Sequence, residues 1–213
     1  MEALRYIAVE GPIGVGKTSL TGLLANEFSA RRIVETPHEN PFLSRFYQDR
    51  KKYAFQAQIF FLLRRYQQQQ ELLQLDLFSR LTISDYLFAR DRIFASINLD
   101  ENEMALYERI YRLLTGRIPT PDLVIYLQAK TPVLLSRIKQ RNQEYERSIE
   151  VDYLETLLRT YNNYFFHYDE SPLLVIDTNE IDFVHRESDL AGLVREIQKP
   201  RRGTWYYVPQ SFG

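Results

Sequence analysis

Short, mostly apolar runs alternate with longer segments of helical periodicity along this chain. The runs are typical of strands buried on both faces, and they lie at 6–9, 33–34, 81–83, 123–127 and 173–176. The longer segments carry apolar residues every three or four positions, as amphipathic helices do, at 17–30, 54–75, 86–98, 99–114, from about 132, 150–167 and 188–198. Strands separated by helices predict an α/β fold, a doubly wound parallel sheet of about five strands with helices on both faces.

Composition and charge narrow the class of protein. Hydrophobic residues occupy 45% of the 213 positions and charged residues 26%, as in an ordinary globular protein. We found no internal repeat or long linker, so we expect one domain over residues 1–213. The net charge is −1, without the basic excess of a non-specific nucleic-acid binder. The absence of cysteine excludes disulfides, thiolate metal sites and cysteine nucleophiles, and three distant histidines argue against an imidazole metal site.

No segment of the chain indicates a membrane or export element. The apolar stretch at 59–63 is far short of the roughly 20 residues that a membrane-spanning helix needs, and the first residues lack a signal-peptide pattern. We therefore expect a cytoplasmic protein that binds neither membrane nor nucleic acid. The aromatic tail, 201–213, shows no periodicity and is expected to be irregular.

A phosphate-binding loop is the strongest chemical signal. Residues 11–18 fit the P-loop pattern G-x-x-x-x-G-K-[ST] at every fixed position, between a predicted strand and a predicted helix. Glycines let successive backbone N–H groups point inward around an anion, and the following helix adds the positive end of its dipole. Lys17 is expected to bridge the β- and γ-phosphates, and the Thr18 hydroxyl to bind Mg²⁺. The predicted nucleotide-binding residues are Gly11, Ile13, Gly14, Val15, Gly16, Lys17, Thr18 and Ser19.

Two further motifs argue against a GTPase. A base-reading N-K-x-D segment is expected after a late strand, but Glu180 stands where the lysine of that pattern belongs, within 179–182. The D-x-x-G match at 189–192 lies in the wrong part of the chain. A short chain with a P-loop and a basic helical segment near its end is typical of a small-molecule kinase.

Five stretches resemble bacterial members of the deoxynucleoside kinase family in both order and spacing. They are the P-loop; Glu35-Thr36-Pro37 with 40–43; Phe46-Tyr47 with 55–58 and Arg65; Asp85 with 91–95; and 137–141 with Glu146 and 153–154. The resemblance implies a P-loop kinase that uses ATP and Mg²⁺ to phosphorylate the 5′-hydroxyl of a deoxynucleoside in nucleotide salvage. It also implies an arginine-containing lid at about 137–147 and a homodimer, which the apolar residues on several faces of helix 54–75 favour as well.

The resemblance also implies roles for residues of the acceptor site. Glu35, just past the second strand, matches a general base for the 5′-hydroxyl. Tyr47 and Glu146 match a pair that holds the sugar 3′-hydroxyl. Three further residues match positions that read the base edge, and Phe94 can stack on the base; the three are Gln58, Arg65 and Asp91. Gln58 and Arg65 are seven positions apart and share a helix face.

The donor site is implied in the same way. Arg137 and Arg141 match lid arginines that cover the ATP phosphates, and with Lys17 and Glu35 they form the predicted catalytic set. Asp85 is expected to assist Thr18 in holding Mg²⁺. One position departs from the family pattern, because Tyr86 follows Asp85 where the family usually has an arginine. Either Arg90 or Arg92 substitutes for that arginine, or the activity is low or altered.

Purine deoxynucleosides are the favoured substrates, because Arg65 and Asp91 suit a purine edge; deoxycytidine stays open. A nucleoside-monophosphate kinase of the thymidylate kinase type is an alternative, although it should carry an Asp-Arg pair near Asp85 and an extra cationic site for the acceptor phosphate. A kinase-like structural or regulatory subunit without activity is the second alternative, and Tyr86 is its best support.

Overall fold

A parallel β-sheet forms the centre of the computed structural model, which describes residues 4–75, 81–116, 118–199 and 202–208. Within these residues the sheet has six strands, one more than the sequence predicted, in the order β2-β3-β1-β4-β5-β6. The strands are β1 (Tyr6–Glu10), β2 (Arg31–Ile33), β3 (Thr82–Ser84), β4 (Leu123–Gln128), β5 (Leu173–Asp177) and β6 (Thr204–Tyr207). Each neighbouring pair runs parallel.

Eight α-helices in the same described ranges connect these strands. They are α1 (Lys17–Glu27), α2 (Leu43–Gln48), α3 (Arg50–Leu75), α4 (Arg90–Asn98), α5 (Glu101–Thr115), α6 (Thr131–Arg141), α7 (Val151–Phe166) and α8 (Glu187–Ile197), with short 3₁₀ turns at Pro37–Glu39 and Glu144–Glu146. Helix α2 was not predicted, because six residues are too few to show a period. Helix α4 begins at Arg90 rather than 86, because residues 86–89 form a buried turn.

The central strands are buried along nearly their whole length, as a sheet covered on both faces requires. Every residue of β1 is buried, and so are the first five residues of β4. The main core joins these strands to apolar side chains of α1, α6, α7 and α8. The continuous apolar runs in the sequence therefore identified the centre of the sheet correctly. No helix within the described ranges combines the length and hydrophobicity that crossing a membrane requires.

The sixth strand corrects the prediction of an irregular tail. Residues Thr204–Tyr207 extend the sheet beside β5, with Trp205 opposite Leu174. Trp205 is 8% exposed, whereas its neighbour Tyr206 is 69% exposed. A four-residue edge strand gives only two periods of alternation, too few to be distinguished from an irregular aromatic segment. The rest of the tail, 209–213, lies outside the described residues.

We expect Trp205→Ala to destabilise the protein far more than Tyr206→Ala. Removing a buried tryptophan side chain costs about 3–5 kcal/mol of unfolding free energy, which corresponds to a fall in Tm of roughly 6–20 °C for a chain of this size. The exposed Tyr206 loses little packing. Thermal unfolding of the two variants followed by circular dichroism makes the comparison, and equal Tm values would contradict the assignment of this strand.

The strand order places the chemistry at one edge of the sheet. The chain leaves β1 toward β3 and β2 on one side and returns to add β4, β5 and β6 on the other. Parallel sheets bind ligands outside the carboxyl ends of their strands, at the point where the order reverses. That point is the end of β1, where the P-loop begins.

Candidate functional site

A cleft of about 970 Å³ lies at the carboxyl ends of the strands. Its walls come from the P-loop, the segments that follow β2, β3 and β5, and helices α3, α4 and α6. Nearly all residues proposed from the sequence line this one cleft; the two that do not are Gly11 and Asp91. A volume of several hundred Å³ is the range of cofactor and substrate pockets.

The P-loop has the backbone geometry that an anion cradle needs. Gly11 and Gly16 have φ values of 150° and 104°, which side-chain-bearing residues rarely adopt. A Cβ atom at Gly11 would lie 2.5 Å from the carbonyl oxygen of Leu127, so glycine is also required there by space. Gly11 therefore supports the loop from beneath, while residues 13–19 line the cleft.

The ammonium group of Lys17 lies across the loop. Its Nζ donates to the carbonyl oxygens of Gly11, at 2.8 Å, and Pro12, at 2.9 Å. Burial, and then the positive charge of Arg90, lower the pKa of Lys17 to about 7, despite the nearby carboxylates. An anion in the cleft would stabilise the charged form, because the opposite charge favours it.

Glu35 lies between two arginines in the segment after β2. Its Oε1 lies 2.5 Å from Nη2 of Arg65, and its Oε2 accepts a hydrogen bond of 3.0 Å from Nη1 of Arg90. Burial alone would raise the pKa of Glu35, but Arg65, Arg90 and Lys17 together lower it. The ion pair with Arg65 therefore holds the buried Oε1 in place. The carboxylate is thus ionised at neutral pH and able to accept a proton.

Thr18 and Asp85, the predicted metal ligands, are in direct contact. The Thr18 hydroxyl donates to Oδ2 of Asp85 at 2.6 Å, and Oδ1 of Asp85 accepts from the backbone N–H of Glu35 at 2.8 Å. Both side chains line the cleft. A hydroxyl and a carboxylate are the oxygen donors that Mg²⁺ prefers, so the residues present fit that ion.

The predicted base-reading residues form two layers. Gln58, Arg65 and Phe94 line the cleft, and the Arg65 guanidinium lies 5.1 Å from the ring centre of Phe61. Asp91 is completely buried behind them, where its carboxylate accepts from Arg65 and, at 2.8 Å, from the Tyr107 hydroxyl. Asp91 therefore acts on the cleft through Arg65.

Glu146 and Tyr47, the predicted sugar-binding pair, lie in the same cleft. Both line the cleft, and Tyr47 stacks on Tyr145 with ring centres 6.3 Å apart. Burial raises the pKa of Tyr47 well above its usual value, which keeps the phenol a hydrogen-bond donor. Glu146 accepts from Nε of Arg141 at 3.0 Å and also from its Nη2. A predicted lid arginine and a predicted sugar-binding carboxylate are thus paired.

The other predicted lid arginine, Arg137, lies against the P-loop. Nη1 of Arg137 donates to the carbonyl oxygen of Val15 at 3.2 Å, and Nη2 donates to that of Thr178 at 2.8 Å. Arg137 and Arg141 are both on α6, and the predicted lid, 137–147, comprises the end of this helix and the following 3₁₀ turn. The segment after β5, 179–185, completes this wall. Its place directly after a strand was the signal for this segment, which the sequence pattern did not otherwise predict.

The residue that departs from the family pattern, Tyr86, does not line the cleft. Tyr86 is fully buried, and its hydroxyl donates to Oε1 of Gln68 at 2.9 Å.

Two arginines are candidates to replace the missing family arginine. Arg92 is paired with Glu108 at 2.6 Å and its side chain is 55% exposed, whereas Arg90 lines the cleft. The partner of Arg90 besides Glu35 is Glu10. Sequence reasoning missed Glu10, although a charge that ends a buried strand signals a required partner.

Comparisons with known proteins agree with this geometry. Residues 7–200 match the model of the deoxynucleoside kinase family. Deoxyguanosine kinase of Bacillus subtilis (strain 168) is 35% identical over 93% of this chain and 99% of its own length. Deoxyadenosine kinase of Dictyostelium discoideum is 32% identical over 98% of this chain and 85% of its own. The structure of deoxyadenosine kinase from M. mycoides with bound dATP superposes with a TM-score of 0.79 at 25% identity, covering 92% of this chain and 100% of that one.

Proposed function

This chain belongs to the deoxynucleoside kinase family and phosphorylates deoxynucleosides; we propose that its substrates are purine deoxynucleosides, which receive the γ-phosphoryl group of ATP on their 5′-hydroxyl with the help of Mg²⁺. One observation carries the proposal. The same cleft is lined by the P-loop with Lys17, by Glu35, and by the side of α3 that carries Gln58 and Arg65. A phosphate donor and a nucleoside acceptor bound there would meet at Glu35.

In the proposed reaction the 5′-oxygen attacks the γ-phosphorus of ATP, the bond from that phosphorus to the β–γ bridging oxygen breaks, and ADP leaves. The Glu35 carboxylate, which lines the cleft, takes the proton of the 5′-hydroxyl. Phosphoryl transfer has a loose transition state, so the carboxylate acts mainly by orienting the hydroxyl. Its two arginine partners fix the carboxylate in place for that task.

The donor side would be held by the P-loop, Lys17 and the two lid arginines. Arg137 already lies on the backbone of the loop, and Arg141 would reach phosphate oxygens after release from Glu146. Thr18 and Asp85 would hold Mg²⁺, which supplies charge neutralisation at the phosphate oxygens.

The acceptor side supports a purine. Gln58 presents an amide that can make two hydrogen bonds to a base edge, and Arg65 presents donors that suit the acceptors of a purine ring. Asp91 fixes the orientation of Arg65 from behind. Phe94 offers a face for stacking, and Tyr47 with Glu146 would hold the 3′-hydroxyl. The relatives named above, a deoxyguanosine kinase and two deoxyadenosine kinases, agree with this choice.

A coupled assay of ADP release with the four deoxynucleosides tests the proposal. We expect kcat/KM for deoxyguanosine or deoxyadenosine to exceed that for thymidine and deoxycytidine by at least about tenfold, the value of one good hydrogen bond to the base. Preference for a pyrimidine would overturn the purine assignment. No turnover on any of the four, with ATP binding intact, would overturn the reaction itself.

Three predictions from the sequence go with this function. They are a cytoplasmic location, a role in nucleotide salvage and a homodimer.

The homodimer prediction depends on the apolar side chains of helix α3. Of these, Leu63 is 44% exposed, whereas Phe61 lines the cleft. Light scattering after size-exclusion chromatography would measure the oligomeric state. Neither the thymidylate kinase type nor an inactive subunit finds support among the relatives.

A further inference from the structure

We propose that Arg90 is a catalytic residue of the phosphoryl transfer, and that its guanidinium both fixes Glu35 and contacts the transferred phosphoryl group. The inference rests on the proposed function, because it assigns a residue to that reaction. Arg90 stands four positions after Tyr86, at the first position of α4. Arg90 thereby supplies to the cleft the positive charge that is missing because a tyrosine stands at position 86.

The guanidinium of Arg90 bridges two carboxylates. On one side, Nε and Nη2 lie 3.1 and 3.0 Å from Oε1 of Glu10. On the other side, Nη1 donates to Oε2 of Glu35 at 3.0 Å. Two of its five N–H bonds make hydrogen bonds to these carboxylates, so the guanidinium keeps further donors for a ligand. Arg90 is 5% exposed and lines the cleft together with Glu35 and the P-loop.

The support for this guanidinium is rigid. Glu10 is completely buried and accepts from the backbone N–H groups of Gly11 and Leu87, both at 2.8 Å, and from the Tyr161 hydroxyl at 3.1 Å. Glu10 therefore links the start of the P-loop to the start of α4. Preorganised donors of this kind stabilise charge that develops in a transition state without further reorganisation.

A purely structural salt bridge explains only part of this arrangement. One carboxylate, Glu10, would neutralise a buried arginine, yet Arg90 also contacts the proposed base and lines the cleft together with Lys17. Two cations that face one cleft mark a site for an anion, here the phosphoryl group in transit between ATP and the 5′-oxygen. Arg92 cannot serve, because its guanidinium is bound to Glu108 outside the cleft.

Chemical rescue of Arg90→Ala tests the proposal. We expect kcat on the preferred deoxynucleoside to fall about 10²-fold, the effect of losing one preorganised donor. The Kd values for that nucleoside and for a non-hydrolysable ATP analogue should change less than about threefold, since the lost contact is made in the transition state. Millimolar guanidinium chloride, below denaturing concentrations, should raise the kcat of the Arg90→Ala variant at least about tenfold. Urea, which has the same shape and no charge, should leave that kcat unchanged.

Matched variants complete the experiment. Arg92→Ala, two positions away and bound outside the cleft, should keep wild-type kcat and show no response to guanidinium. Arg90→Lys keeps the charge with a single contact point and should retain an intermediate kcat at unchanged Kd values. If Arg90→Ala does not fold, Arg90→Lys decides instead: a fall in kcat at unchanged Kd supports the proposal, and full activity overturns it.

The failure of this inference can be told from the failure of the proposed function. Wild-type protein that phosphorylates none of the deoxynucleosides would overturn the function. Active wild-type protein whose Arg90→Ala variant keeps its kcat would overturn this inference alone, and so would a rate loss that urea rescues as well as guanidinium, because charge would then play no part.

Discussion

Glu35→Gln should lower kcat for the preferred deoxynucleoside about 10³-fold, within the range that a positioned general base contributes. The amide keeps the shape of the side chain but cannot take the proton of the 5′-hydroxyl. The fold should survive, because the two arginines that contact Glu35 have other carboxylate partners: Arg65 keeps Asp91 and Arg90 keeps Glu10. The loss should therefore appear in kcat, with nucleoside affinity nearly unchanged.

Single-turnover and steady-state kinetics, with calorimetric Kd values for the nucleoside, measure this effect. Glu39→Gln is the matched control, because Glu39 is an exposed acid four positions further on, paired with Arg64 at 2.9 Å. That variant should keep wild-type kcat. Glu35→Asp, with the carboxylate withdrawn by one methylene, should have a kcat between those of these two variants. A Glu35→Gln enzyme within about tenfold of the wild-type kcat would remove the proton-accepting role.

The site could be predicted from the sequence largely because parallel sheets collect their chemistry at one edge. The P-loop, Glu35 and Asp85 follow β1, β2 and β3, so any correct strand assignment brings them together. The helical spacing of Gln58 and Arg65 likewise placed both side chains on the cleft side of α3. Local patterns were sufficient wherever the fold converts sequence order directly into proximity.

Contacts between distant segments could not be predicted in this way. Glu10 and Arg90 are 80 positions apart and meet only because β1 and the start of α4 lie at the same end of the sheet. Asp91 stands at a position that matches the family pattern, but it is completely buried behind Arg65. The periodicity of a nine-residue helix does not show how deeply one of its residues is buried. The strand in the tail, β6, was not predicted for a similar reason. Its partner β5 is remote in sequence, and its own pattern is only four residues long.

Binding of the triphosphate should change the charge state of Lys17. In the free protein, burial and the charge of Arg90 hold the pKa of Lys17 at about 7. Phosphate oxygens in the cleft raise that pKa, because they favour the ammonium form. Above pH 7 the free protein is therefore largely neutral at Lys17 and must take up a proton on binding, whereas at pH 6 it is already charged and takes up little. The apparent Kd for the ATP analogue should accordingly rise as the pH increases above 7.

Calorimetric titration of the ATP analogue with Mg²⁺ in buffers of different ionisation enthalpy measures this uptake. We expect about 0.9 proton at pH 8 and about 0.1 at pH 6, the deprotonated fractions of a group with a pKa of about 7. Lys17→Met should abolish the uptake and lower kcat about 10³-fold, because it removes the cation that contacts the transferring group. Arg31→Met, an arginine on β2 that does not line the cleft, should leave both quantities unchanged. Tight binding at pH 8 without proton uptake would show that Lys17 is charged before the ligand arrives, and would place its pKa well above 7.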